Sequence, residues 1–85
     1  MALYFLDYDV LQGHDYQRLY AELARFRAIH ILDSLWCFER LNTNCPNLRD
    51  HFAQFLHPDD RLVVSEVIHW AMRNHLGHPR IATRT

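Results

Sequence analysis

The chain has 85 residues, 49% hydrophobic and 13% aromatic, with ten acids against nine basic residues and a formal charge of −1. That length allows one small domain, and a domain of this size gains from pairing with a second copy. The near-neutral balance excludes the broad basic footprint of a strong nucleic-acid binder, no apolar run approaches transmembrane length, and two cysteines without CxxC spacing make no disulfide framework.

The first element is "ALYFLDYD", residues 2–9, rich in aromatic and branched side chains and read as a strand. It ends on two acids, Asp7 and Asp9, one residue apart. "VLQGH" (10–14) reads as a loop broken by Gly13. Over 15–27, Tyr16, Leu19, Tyr20, Leu23 and Phe26 recur at three or four residues, which predicts a helix with one apolar stripe. Asp15 suits its N-cap, because a carboxylate there accepts a free backbone N–H of the first turn.

"AIHILDSLWCFER" (28–40) is a long strand-like region. Ile29, Ile31, Leu35 and Cys37 fall on one alternation; Leu32, Ser34, Trp36 and Phe38 fall on the other. Asp33-Ser34 in its middle makes either one bent strand or two short strands. "LNTN" is a turn, and Pro46 fits a first helical turn, where its missing N–H is not needed. Leu48, Phe52, Phe55 and Leu56 predict a second helix, ended by His57-Pro58-Asp59-Asp60. "RLVVSEVI" (61–68) is the last strand. Residues 69–76 are expected to form a short helix closed by Gly77, and 78–85 a polar, mobile tail.

This order predicts an α+β fold: a ferredoxin-like β-α-β-β-α-β sandwich, one antiparallel sheet with two helices on one face. The domain spans 1–77. No element remains to cover the other sheet face, which carries large residues on either alternation, so a homodimer is expected to bury it. The two cysteines read as reduced thiols in a cytoplasmic protein. No basic segment followed by an apolar stretch marks a secretion signal, and no membrane partner is expected.

Strand geometry puts Asp7 and Asp9 on one face with Leu3 and Phe5. Magnesium prefers carboxylate oxygens and keeps several waters, so one or two acids can hold it beside a phosphate. The alternative is that the two acids solvate a strand end or cap the following helix. All nine basic residues are arginine. Arg18 and Arg25 lie seven apart on one helical face, and with Arg27 and Arg40 they are candidate phosphate contacts. Equally, Glu22, four residues after Arg18, makes this a solvated, helix-supporting face. Tyr8, Trp36 and Trp70 are candidates for base stacking or for core and dimer packing. Seven histidines are many for this length. Neither His51 with His57 nor His75 with His78 has a third ligand at zinc spacing, and HExxH is absent. His14, close to the end of the first strand, is a candidate proton donor or acceptor. Cys37, within a strand, reads as a small buried hydrophobe.

"YFLDYDV" opening the chain, a helix, "SLWCFER", a second helix and "DRLVVSEV" together resemble the CRISPR-associated protein 2 superfamily. The SinR-like branch is nearest, through "LDSLWCF" and "DDRLVVSEV"; virulence-associated protein D is a further relative in that superfamily. The resemblance covers roughly residues 2–70. It implies a ferredoxin-like fold and a homodimer built through the sheets. It also implies either a magnesium-dependent endonuclease acting on RNA or DNA, or a non-catalytic dimeric module that binds nucleic acid or a protein partner. On the family pattern Asp9, closing the first strand, is the metal-associated and catalytic position. Ser34 matches a serine after the mid-chain strand break.

Overall fold

Strand β1, Ala2–Asp9, is the second-from-edge strand of a four-stranded sheet and organises both of its faces. Its even residues Tyr4, Leu6 and Tyr8 are buried on the helix side; its odd residues Leu3, Phe5, Asp7 and Asp9 point the other way, to what is here called the outer face. The computed structural model describes residues 1–9 and 15–73. The remaining elements are α1 (Gln17–Arg25), β2 (Ile29–Leu32), β3 (Leu35–Arg40), α2 (Cys45–Ala53) and β4 (Arg61–Val67). The sheet order is β2-β3-β1-β4, antiparallel throughout. The expected ferredoxin-like sandwich is therefore the fold.

The region 28–40 resolves into two strands joined at Asp33-Ser34, with Leu32 paired to Leu35. Among the described residues only Arg27 and Asn42 outside glycine have positive φ, so this two-residue turn lacks the left-handed backbone of the usual tight hairpin. The register shifts between His30 and Leu32: Ile31 keeps the alternation of Ile29 and is buried on the outer face, and the extra residue sets Leu32 opposite Leu35.

Helix α1 is shorter than the apolar stripe suggests. Asp15 Oδ1 accepts the Gln17 N–H at 2.9 Å, so the expected carboxylate cap is present one position before the formal N-cap, Tyr16. The helix closes with Arg27 N–H donating to Ala24 O and Ala28 N–H to Leu23 O, the paired bonds of a Schellman motif with arginine where glycine is usual. Helix α2 is capped by Asn44, whose Oδ1 accepts from Asn47 N–H, and carries Pro46 in its first turn. Its regular part stops at Ala53, so Phe55 and Leu56 reach the core from a turn and not from the helix.

The helix-side core joins Tyr4, Leu6 and Tyr8 to Leu19, Leu23, Phe38, Leu48 and Phe52. Phe26 inserts between the layers, with ring centroids 4.9 Å from Phe52 and 5.2 Å from Phe38. Burial of this set supplies most of the drive to fold.

Two expectations change at the C-terminal end. Residues 69–73 are not helical. Trp70 and Met72, two apart, both pack against Leu3, Ile31 and Cys37 on the outer face, a spacing that extended chain provides and a helix does not. The same contact corrects the expectation that nothing in the chain covers that face: the segment after β4 covers part of it. Residues 74–76, Gly77 and the tail 78–85 lie outside the described residues, as does the loop 10–14.

Candidate functional site

The sheet end where β1 finishes gathers Asp7, Tyr8, Asp9, Ser34, Arg61, Leu62 and Val63 around a shallow open cleft of about 370 Å³. Each position follows from register. Asp7 sits opposite Leu35 on one side and Val63 on the other, and Asp9 sits opposite Arg61, the first residue of β4. Strand alternation turns both acids to the outer face, as expected.

The two carboxylates have different partners. Ser34 Oγ donates to Asp7 Oδ1 at 2.8 Å, and Ser34 O accepts from Tyr8 N–H at 3.3 Å, so the hairpin turn is tied to the end of β1 from both sides. Asp9 Oδ2 lies 3.9 Å from Arg61 Nη1, with side chains 76% and 83% exposed. A contact that long and that wet is weak, and leaves the Asp9 carboxylate available for another cation. Asp7 is held in place; Asp9 is held near a guanidinium without being consumed by it.

Hard carboxylate oxygens in a solvated setting fit magnesium, which binds through one or two acids and retains water. Among the described residues no three His, Cys, Asp or Glu side chains cluster as a ready-made metal cage. Asp7 and Asp9 are therefore the residues that would hold the ion.

The arginines expected to contact phosphate lie elsewhere. Arg18 and Arg25 belong to α1, on the helix side of the sheet, whereas Asp7 and Asp9 face outward. The Arg18 guanidinium sits 5.5 Å from the centre of the Phe55 ring. Arg25 Nη1 donates to Glu22 Oε1 at 3.1 Å. Glu22, expected on a solvated face beside Arg18, is instead only 6% exposed and also accepts from His51 on α2. The helix turns that position inward, because Leu19 and Leu23 on either side of it are fully buried.

The aromatic candidates are largely spent on packing. Tyr8 is buried beneath α1, and its phenol is pushed up to about 12, first by burial and then by its bond with Tyr20; the Trp36 indole opposes the shift. That indole N–H is itself buried and, among the described residues, makes no well-aligned hydrogen bond, so its effect on the Tyr8 phenol is that of a nearby but poorly directed donor. Trp36 stacks on His30 at 4.2 Å and 5°, with Tyr20 at 6.3 Å. His30 Nε2–H in turn donates to Asp33 O at 2.9 Å. Trp70 packs on the outer-face cluster. His57 lies edge-on to Tyr16, whose hydroxyl donates to both Asp60 oxygens. His14, His75 and His78 lie outside the described residues.

Arg61 is the residue that sequence reading passes over. It opens a strand 52 positions after Asp9, and only the β1–β4 pairing brings the two together. The chain matches no protein-family model and no solved structure.

Proposed function

We propose that the chain is a magnesium-dependent endonuclease of RNA or DNA, working as a homodimer in which Asp9 of each copy takes part. The observation that carries this reading is the side-by-side display of Asp7, Asp9 and Arg61 on an open, solvated strand end. Carboxylates suit a divalent cation, and a guanidinium beside them suits the phosphate that the cation would otherwise face alone. An open cleft at a strand end leaves room for a long polyanion to pass through. The resemblance to the CRISPR-associated protein 2 superfamily, with Asp9 on its metal-associated position, supports the same residue.

In this reading Asp9 holds the cation and Asp7, fixed by Ser34, stands behind it. When bound, the cation would supply an acidified water and charge stabilisation for the leaving oxygen. Arg61 would grip a non-bridging phosphate oxygen and hold the phosphodiester against the strand end. The distant arginines Arg18 and Arg25 would then touch only substrate that wraps around the sheet edge.

One observation favours a second reading, a non-catalytic dimeric module that binds nucleic acid or a protein partner. Among the described residues, one chain offers this site two carboxylates and neither a histidine nor a third acid. The decisive experiment is cleavage of labelled RNA and DNA with and without magnesium, comparing wild type with Asp9→Ala and Arg61→Ala. The endonuclease reading expects metal-dependent cleavage that Asp9→Ala abolishes and Arg61→Ala weakens, with both variants folded. Full activity in Asp9→Ala, or none in wild type on either substrate, leaves the binding module.

A further inference from the structure

A second open recess, of about 240 Å³, lies on the helix side near Arg40 and the start of α2, with Phe26, Arg40, Thr43, Asn47, Leu48 and His51 among its lining residues. From this recess we infer a binding site for a small monocarboxylate with an apolar body, with Arg40 as the group that receives the carboxylate. The inference is independent of the acids at the far end of β1.

Arg40 is half-buried, and its guanidinium carbon lies 3.8 Å from the centre of the Phe26 ring. That contact with the ring face holds the guanidinium in place, and its N–H donors are the part able to meet a ligand. Among the described residues no carboxylate pairs with it. The arginines with acid partners find them elsewhere: Arg25 at Glu22, Arg49 at Asp50 and Arg61 at Asp9. Arg40 is thus a positioned, partly desolvated cation without a counter-ion, which is the state that an incoming carboxylate relieves.

The rest of the lining defines the ligand. Thr43 and Asn47 are neutral. Thr43 is held by its own carbonyl, which accepts from the Tyr4 hydroxyl at 3.1 Å. The Asn47 side chain is free of the helix cap, which uses only its backbone N–H. Leu41 and Leu48 provide apolar surface. His51 lines the recess but is already engaged: a carboxylate oxygen only accepts, so His51 Nε2–H donates to Glu22 at 2.6 Å, and Nδ1 faces the Gln54 amide at 3.4 Å. Glu22, the acid bonded to His51 of this wall, is countered by Arg25 as well. One available positive charge matches one negative charge, so a monoanion fits better than a phosphate dianion. The volume lies below the roughly 300–1,000 Å³ typical of pockets for drug-sized ligands. A benzoate-sized molecule is the appropriate scale.

The test is a titration of the ¹⁵N-labelled full chain with sodium benzoate, against sodium chloride and sodium phosphate at matched ionic strength. Chemical shifts of the Arg40 Nε–H and the Asn47 side-chain amide are the readout. Expected is a saturable shift of both with benzoate, absent with chloride and weaker with phosphate. Arg40→Gln should weaken benzoate binding about tenfold or more, the value of a charged hydrogen bond, and Asn47→Ala should weaken it less. Arg40→Gln also loses the stack on Phe26, so Asn47→Ala, which touches no core contact, keeps the test valid if the first variant unfolds. Equal shifts with chloride, stronger binding of phosphate, unchanged benzoate affinity in a folded Arg40→Gln, or, where that variant does not fold, unchanged affinity in Asn47→Ala would overturn the assignment.

Discussion

His51 Nε2 donates to Glu22 Oε2 at 2.6 Å and so joins α2 to α1 by a charge-assisted hydrogen bond beside the helix-side core. Phe26, whose ring centroid lies 5.4 Å from the imidazole, packs over the same region. Glu22 is nearly buried, so this bond and the one from Arg25 stand in for the water its carboxylate oxygens have lost. His51→Ala should therefore destabilise the fold by about 1–3 kcal/mol, the cost of stranding a buried acceptor. Adding Glu22→Gln to it should recover part of that loss, since the stranded group is then neutral. Urea denaturation of the two variants checks both; an unchanged midpoint in His51→Ala would show that the bond contributes nothing net.

Burial at the sheet makes the protein sensitive to alkali. Cys37 is fully buried and its thiol is pushed up to about 11, mainly by desolvation, from a usual value of 9.0. Tyr8 is pushed up to about 12 from 10.0 for the same leading reason. In the window between the ordinary and the raised values, the unfolded chain ionises and the folded chain does not. The unfolded state then binds fewer protons, so stability falls as pH rises. That stability is fully present below about pH 9 and is lost progressively as pH climbs through 9–11 for Cys37 and 10–12 for Tyr8. Denaturant midpoints at pH 8 and pH 10.5 should show the drop, and Cys37→Ala should flatten it. At pH 8 a thiol reagent should label Cys45, which is partly exposed, well before Cys37.

Arg27 occupies the left-handed position that ends α1, with φ 55° and an exposed side chain. A side chain with a β-carbon is disfavoured there, while glycine is not. Arg27→Gly should raise stability by up to about 1 kcal/mol, the left-handed penalty of about 1–2 kcal/mol less glycine's own entropic cost, seen as a higher urea midpoint with an unchanged slope. A fall would mean that the arginine side chain makes a stabilising contact outweighing the backbone strain.

Most of the fold was legible because its strands and helices carry their own periodicities. Tyr4, Leu6 and Tyr8 against Leu3 and Phe5 already separate two buried faces, and Pro46 after the "LNTN" turn announces α2. The break at Asp33-Ser34 was visible but not its outcome, since no glycine or asparagine marks the turn and the register shift at Ile31 absorbs the geometry. Trp70 and Met72 misled because an alternation of two apolar residues is too short to distinguish from part of a helical stripe. Of the site, Asp7 and Asp9 could be named from local pattern, and Ser34 only from the family resemblance. Arg61 could not, and neither could the turning of Glu22 toward His51, because both depend on contacts between elements distant in sequence.

Assembly through the outer face is the last expectation. Leu3, Ile31 and Cys37 are covered there by Trp70 and Met72, yet Val63 remains 63% and Leu32 46% exposed beside them. Apolar side chains left in water next to a buried cluster favour association, and a two-fold pair uses the same patch on both copies. Asp7 and Asp9 lie on this face as well, so pairing carries like charges toward each other, and a divalent cation would relieve the repulsion more than sodium at the same ionic strength. Light scattering at micromolar concentration should give a dimer, tightened by magnesium relative to matched sodium chloride. Val63→Glu should shift it to monomer, because the new charge would have to be buried unpaired. Asp9→Asn should remove the magnesium effect while leaving the dimer in sodium chloride at least as strong. A monomeric wild type, or a Val63→Glu protein that still dimerises, would mean that copies of the chain do not meet through this face.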